Sequence, residues 1–373
     1  VTSETASLRR PRVKPEHRPY RTVDGHVRIG GVVFGIGAEI ADPHGWVWRL
    51  MEVMDGSRDP SGVVAEVVAG HPGVSGDDVF RAMADLRAAG FVEDAAAPVP
   101  VSDRERERYS RGVPLLRWMD LGPRASAWDA QLALGRARVL LLGVGGTGGH
   151  AAQCLVASGV GHVHCVDPDV VELSNLNRQP LFREADIGRP KVDAALAALR
   201  ALNSDVTVTG ERAEVRGPDG LRVLLGRARP DLLVLAADRP ADLRRWANRG
   251  CLALGLPWVD AGYRGPLVTA GVYAPGRGAC WECLREGEAA RRDLRLAPGQ
   301  DEEVASPRMP WNPATAVTAS LSGALLAHAA LALLTGVPVL EPGVRFGLNL
   351  MVPGDPLVQR HPRRPDCPAC GGV

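Results

Sequence analysis

Arg138-Val-Leu-Leu-Leu-Gly-Val-Gly-Gly-Thr-Gly-Gly-His150 is the stretch on which the fold turns. After Arg138 the run to Leu142 is wholly apolar, as in a strand buried on both faces. It leads directly into a glycine loop with Gly143, Gly145, Gly146 and Gly148, and then into a helix expected over 150–158. Glycines let the backbone approach an anion closely, and a helix N-terminus presents free N–H groups with a partial positive charge. Glycine-rich turns alone are common. One set between a buried strand and a helix is placed to hold phosphate. The next strand, expected over 162–167, ends on Asp167, where a carboxylate can accept hydrogen bonds from ribose hydroxyls. So far NAD and ATP fit equally well.

The following residues separate them. The loop from Val166 to Gln179 gathers Asp167, Asp169, Ser174, Asn175 and Arg178, and Lys191 opens a helix expected over 191–202, after Gly188-Arg-Pro190. Arg178 and Lys191 supply two cations suited to a triphosphate, whereas a dehydrogenase needs an apolar nicotinamide pocket here. Lys191 is conspicuous because Lys14 is the only other lysine among the 44 basic residues. An apolar strand expected over 232–236 continues the alternation of strand and helix. That alternation predicts an α/β domain: a Rossmann-like, mostly parallel sheet with helices on both faces. Asp238 then follows at the carboxyl edge of the sheet. A carboxylate beside phosphates is repulsive unless a divalent cation lies between, which assigns Mg²⁺ to Asp238. The plainer alternative is a solvated ion-pair network of Arg178, Lys191 and Asp238. Their order and position favour phosphate handling.

Together, Gly143–Gly149, Asp167–Gln179, Gly188–Lys191, Asp238 and two Cys-x-x-Cys pairs resemble the ThiF/MoeB adenylating family, the superfamily of ubiquitin-activating enzymes. The resemblance spans about 104–370. It implies ATP as cofactor, Asp167 on the ribose, Ser174, Asn175, Arg178 and Lys191 on the phosphates, and Asp238 on Mg²⁺. Asp169 is counted with the nucleotide ligands. Arg108-Tyr-Ser-Arg111 looks like that family's N-terminal helix, which makes Arg111 a cation supplied to a partner subunit's site and implies a homodimer. The sequence departs at Asp238-Arg239, where the family usually has Asp-Asn; altered local contacts are expected there. A substrate carboxylate would attack the α-phosphorus of ATP, with Arg111, Arg178, Lys191 and the cation on Asp238 neutralising charge.

Cys280-Trp-Glu-Cys283 and Cys367-Pro-Ala-Cys370 have the composition of a closed structural zinc site. Their separation is long, so spacing alone leaves a redox dithiol or four unrelated thiols open; the family resemblance implies Zn²⁺. Some relatives form a thioester on a cysteine in the loop after the first pair, but 284–312 contains none. Cys154, Cys165 and Cys251 read as core residues. Adenylation without an enzyme thioester is therefore expected, with the acyl group passed to another nucleophile or to a downstream modifying enzyme.

Residues 1–18, rich in Arg and Pro, read as a flexible arm. A small winged-helix-like α+β domain is expected over 19–94, a linker over 95–103, and the adenylation domain over 104–373. In the small domain, strands are expected at 20–23 and 26–29 around Asp24-Gly25, which suits a tight hairpin turn, and at 32–36. Helices follow around 45–54, 61–69 and 76–89, with Ser61 and Ser75 as capping residues. Asp77, Asp78 and Asp85 against Arg81 and Arg87 make the last helix a poor surface for DNA. The order of elements resembles the PqqD-like peptide-recognition domain. That resemblance implies capture of a leader peptide as an added strand along 32–36; a purely dimer-buttressing role is the alternative.

A net charge of +1 gives no general field for nucleic acid or an anionic membrane. No signal-peptide pattern opens the sequence, so a cytoplasmic location is expected. The apolar stretch 314–334, interrupted by Thr, Ser and His, reads as a buried helix. The expected function is ATP-dependent adenylation of a carboxylate on a ribosomally made precursor peptide in natural-product biosynthesis. The alternatives are adenylation of a ubiquitin-like sulfur-carrier protein, or a non-catalytic partner that delivers a peptide to another enzyme.

Overall fold

The computed structural model describes residues 8–291, 294–300, 304, 307, 309, 311–352 and 354–371. The chain divides into two compact units, Val1–Leu132 and Ala133–Val373.

The first unit pairs β1 (Pro11–Val13) antiparallel with β5 (Val92–Asp94), and β2 (Tyr20–Arg21), β3 (Val27–Ile29) and β4 (Ala38–Ile40) form a three-stranded antiparallel meander. Three helices, α1 (Trp46–Val53), α2 (Pro60–Gly70) and α3 (Gly76–Ala88), complete it. Their buried residues recur at helical spacing, Val47-Leu50-Met51, Val63-Val67 and Val79-Met83-Leu86, and meet Val27 and Ile29 in one core.

Several expectations for this unit are corrected. Part of the expected arm, 11–13, is strand β1, and Leu8 and Val13 are buried; residues 1–7 of that arm lie outside the described residues. Residues 32–36 are not a strand. They form the turn between β3 and β4, bounded by Gly31 and Gly35 at positive φ, with Val32 and Phe34 exposed. Helix α2 is capped by Asp59, which accepts from the Gly62 N–H at 2.7 Å, because Pro60 occupies the first helical position expected for Ser61. Ser75 caps α3 as expected. The segment around Arg108-Tyr-Ser-Arg111, expected as a helix, is broken into α4 (Asp103–Arg108), opened by a Ser102–Glu105 capping box, and α5 (Gly112–Met119).

In the second unit an eight-stranded sheet has the order β13-β12-β11-β10-β9-β6-β7-β8. The strands are β6 (Arg138–Leu142), β7 (His162–Val166), β8 (Thr207–Glu211), β9 (Leu232–Leu235), β10 (Trp258–Arg264), β11 (Leu267–Tyr273), β12 (Val344–Asn349) and β13 (Pro356–Arg360). From β10 to β8 all neighbours are parallel, and from β10 to β13 all are antiparallel. The α/β fold of the expectation is present, with an antiparallel wing that the sequence pattern did not announce. Chain order reverses between β6 and β9, which opens a crevice at their carboxyl ends.

Helix α6 (Asp129–Arg136) precedes β6, and α7 (Gly146–Ala157), α8 (Lys191–Leu202), α9 (Pro218–Ala228) and α10 (Leu243–Leu254) connect the parallel strands. Helices α11 (Trp281–Arg291) and α12 (Ala316–Thr335) follow the antiparallel pair β10–β11. By length and composition α12 could cross a membrane, but it packs on α7, β10 and β11. Its polar residues have partners there. Ser322 accepts from Thr147 at 3.0 Å, and Ser320 lies 2.9 Å from His150 Nε2. Gly323 permits this close approach, since a Cβ there would sit 2.5 Å from the Thr147 carbonyl oxygen.

Candidate functional site

A cavity of about 380 Å³ lies at the carboxyl ends of β6, β7 and β9. Its lining brings together Gly143, Gly145, Asp167, Asp169, Arg178, Lys191 and Asp238 from segments far apart in sequence. Gly143 has φ +90° and its missing Cβ would meet the Ala237 nitrogen at 2.9 Å, so the loop can turn there only with glycine. Gly145 precedes α7, whose first N–H groups are left for a ligand. Gly146 and Gly148 lie in the first turn of α7, where they allow the helix to sit against α12 and the loop respectively.

Asp167 is buried, and its two oxygens accept from the backbone N–H groups of Val144, at 2.8 Å, and Asp169, at 2.9 Å. It therefore fixes the glycine loop and its own loop, while a carboxylate retains further lone pairs for a ligand hydroxyl. Lys191, buried at the start of α8, donates to Asp169 at 2.9 Å. Arg178 donates to the Ser174 carbonyl at 2.8 Å and to Asn177 at 3.0 Å. Ser174 is exposed and donates to Glu172; Asn175 is buried and its Oδ1 accepts from the Glu172 N–H. Both shape the loop that carries Arg178. Arg111 belongs to the first unit, exposed between α4 and α5.

Asp238 is shared with a second, larger cavity of about 680 Å³ on the antiparallel side, walled by β10, α10, α11 and β12. Tyr263 lies on the wall of this cavity beside the shared aspartate; burial raises its hydroxyl pKa, opposed by Arg178 and reinforced by Asp238. Arg244 donates to Asp238 at 3.2 Å and to the buried Asp260 at 3.0 Å. Sequence reasoning named none of Tyr263, Arg244 and Asp260. They come from β10 and α10 without a motif, and only the isolated polar residues of an otherwise apolar β10 could have flagged them.

Cys280, Cys283, Cys367 and Cys370 are all buried, with their sulfurs within 4.8 Å of one another. Three of the separations are 3.8, 3.6 and 3.5 Å. A tetrahedral Zn²⁺ site with bonds of about 2.3 Å has sulfur–sulfur edges of about 3.8 Å. The Arg364 N–H and the Asn248 side chain point at Cys283 and Cys280, as donors do around thiolates. The four residues could hold zinc.

A glycine loop at a topological switch point, flanked by a lysine, an arginine and an edge aspartate, is the arrangement of a nucleotide-binding α/β fold and suits phosphates. The chain matches the ThiF family over residues 116–369 and belongs to that family, as an adenylyltransferase. Over 276 residues it is 32% identical to the sulfur carrier protein ThiS adenylyltransferase of Escherichia coli, covering 73% of this chain and 98% of that one. It is 37% identical over 186 residues to the molybdopterin-synthase adenylyltransferase of the same organism, covering 49% and 70%. Against the adenylyltransferase and sulfurtransferase MOCS3 of Arabidopsis thaliana the match, 36% identical, covers 48% of this chain and spans only 36% of the relative's length. Among solved structures, the fold is similar to E. coli MccB, with TM-score 0.77 and 23% identity over 98% of this chain and 97% of that one. It is similar too to the microcin C7 biosynthetic enzyme MccB in complex with N-formylated MccA, with TM-score 0.71 and 22% identity over 97% and 99%.

Proposed function

We propose that this chain activates a carboxylate of a ribosomally made precursor peptide as an acyl-adenylate. The observation that carries the reading is the meeting of two cavities at Asp238, one built for phosphates and the other large enough for a peptide end. ATP would lie in the smaller cavity, its ribose by Asp167 and its phosphates by the glycine loop, Arg178 and Lys191. The substrate carboxylate oxygen attacks the α-phosphorus, the bond between the α-phosphorus and its bridging oxygen breaks, and pyrophosphate leaves. No proton need move, so the residues act by positioning and by opposing charge. Asp238 fits a Mg²⁺ site because it is an edge carboxylate at the phosphate cavity; the cation would supply further charge neutralisation. Zn²⁺ on the four cysteines would tie the end of the chain to α11. Arg111 would act in trans within a homodimer.

The full-length likeness to MccB, whose solved complexes contain MccA, favours a peptide over a carrier protein. The first unit would receive the leader on the free edge of its meander, at β4, since 32–36 is a turn. The sulfur-carrier reading draws support from the adenylyltransferases to which the sequence is similar. ATP–pyrophosphate exchange separates the readings. Exchange that requires a peptide and disappears in Asp238→Ala supports the first; exchange only with a small protein ending in Gly-Gly supports the second. Peptide binding without any exchange supports a delivery partner.

A further inference from the structure

The larger cavity is organised by an alternating chain of charges. Arg244 gives Nε to Asp260 at 3.0 Å and Nη2 to Asp238 at 3.2 Å. Asp260 also accepts from the Tyr273 hydroxyl at 3.2 Å, and Arg345 donates to that hydroxyl at 3.0 Å while pairing with Glu288 at 3.4 Å. Asp260 and Glu288 have side-chain exposures of 4% and 6%, so the chain is anchored inside the protein. Two of the three guanidinium nitrogens of Arg244 are thus engaged. Its Nη1 makes no hydrogen bond among the described residues, and Arg244 lines the cavity.

We propose that Arg244 is the carboxylate receptor of this cavity. Its open edge takes the free C-terminal carboxylate of the acyl substrate and holds it beside Asp238, where the phosphate cavity begins. The inference rests on the adenylation reading and deepens it. A planar guanidinium matches a carboxylate, and one already locked by Asp260 loses little freedom on binding. The 680 Å³ of space lies within the range of clefts that enclose small molecules.

The test uses the full chain and degenerate N-acetyl hexapeptides that differ only in the last residue, as free acids or amides. Exchange kinetics, ATP affinity by equilibrium dialysis and Tm are measured for wild type, Arg244→Lys and Arg244→Gln. Expected are exchange with the free acids and no exchange with the amides. Both variants raise the peptide KM by about tenfold or more, with ATP affinity within about twofold. Arg244→Lys keeps a cation against Asp260, so it remains informative if Arg244→Gln does not fold. A wild-type peptide KM in Arg244→Lys, or ATP affinity lost in step with peptide affinity, overturns the role of Arg244. Absence of exchange with every free acid in a wild type that binds ATP sinks the adenylation reading underneath.

Discussion

Replacing Gly148 by alanine tests the helix–loop geometry of the phosphate site. The added Cβ would lie 1.8 Å from the Gly143 carbonyl oxygen and 3.1 Å from the Ala236 Cβ. An ordinary carbon–oxygen contact is about 3.3 Å or more, so the start of α7 must retreat by about 1.5 Å. The obstacle is backbone, which cannot swing aside as a flexible side chain would. Overpacking of this kind costs about 1–3 kcal/mol. For a unit of this size each kcal/mol lowers Tm by about 2–4 °C, so taking about 3 kcal/mol gives a fall of about 6–12 °C. The same retreat pulls the α7 N–H groups from the phosphates, and ATP affinity should fall at least about tenfold. Differential scanning fluorimetry and equilibrium dialysis read the two effects. Gly145→Ala is the control, because its Cβ would meet only the Gln179 side chain, at 3.6 Å. It should weaken ATP binding while costing less than about 1 kcal/mol. A Gly148→Ala protein with Tm within about 2 °C of wild type and unchanged ATP affinity refutes the reasoning.

Lys191→Met should raise the ATP Kd by about 10–100-fold through loss of a charge-assisted contact, while Tm moves little because its partner Asp169 is 61% exposed and is readily solvated; isothermal titration and a melting curve check this. Elemental analysis should find about one zinc per chain, lost in Cys283→Ser together with a large drop in Tm; a metal-free wild type with the same Tm would dismiss the structural role. Burial, aided by the Asp167 charge, pushes the Cys165 thiol up to about 12. Between pH 9 and 12 the unfolded thiol ionises while the folded one stays protonated, so stability falls as pH rises by about 1.4 kcal/mol per pH unit from this group. Urea unfolding at pH 8 to 10.5 should show a correspondingly shallower decline for Cys165→Ala, and identical slopes would refute the assignment.

The parallel half of the sheet, and the residues that converge at its carboxyl edge, were legible because each strand–loop–helix step carries its own local signature. Gly143, Asp167, Lys191 and Asp238 each stand just after an apolar run or at a helix start, Arg178 lies in the loop between, and the fold converges them on one cavity. Each Cys-x-x-Cys pair was legible from its spacing, but that the two pairs meet was implied only by the family resemblance. The antiparallel wing was not, because β10 to β13 meet by long-range register, which no local period encodes. Asp260 and Arg345 become neighbours only through that register, while Arg244 and Glu288 reach them from α10 and α11. In the first unit, apolar content at 32–34 suggested a strand, but the surrounding glycines make it a turn and the pairing strand begins at Ala38.

That division of the sheet has an evolutionary consequence. On the adenylation reading, phosphate handling rests on loops at the ends of parallel strands, whereas the larger cavity that takes the acid is walled by the antiparallel wing, α10 and α11. Substitutions on the wing can therefore retune which acid is activated while the nucleotide chemistry stays intact. Asp238 and Arg244 straddle the seam and are the positions least free to drift. A lineage could change clients repeatedly by rewriting one wall of a single domain, without inventing a new engine.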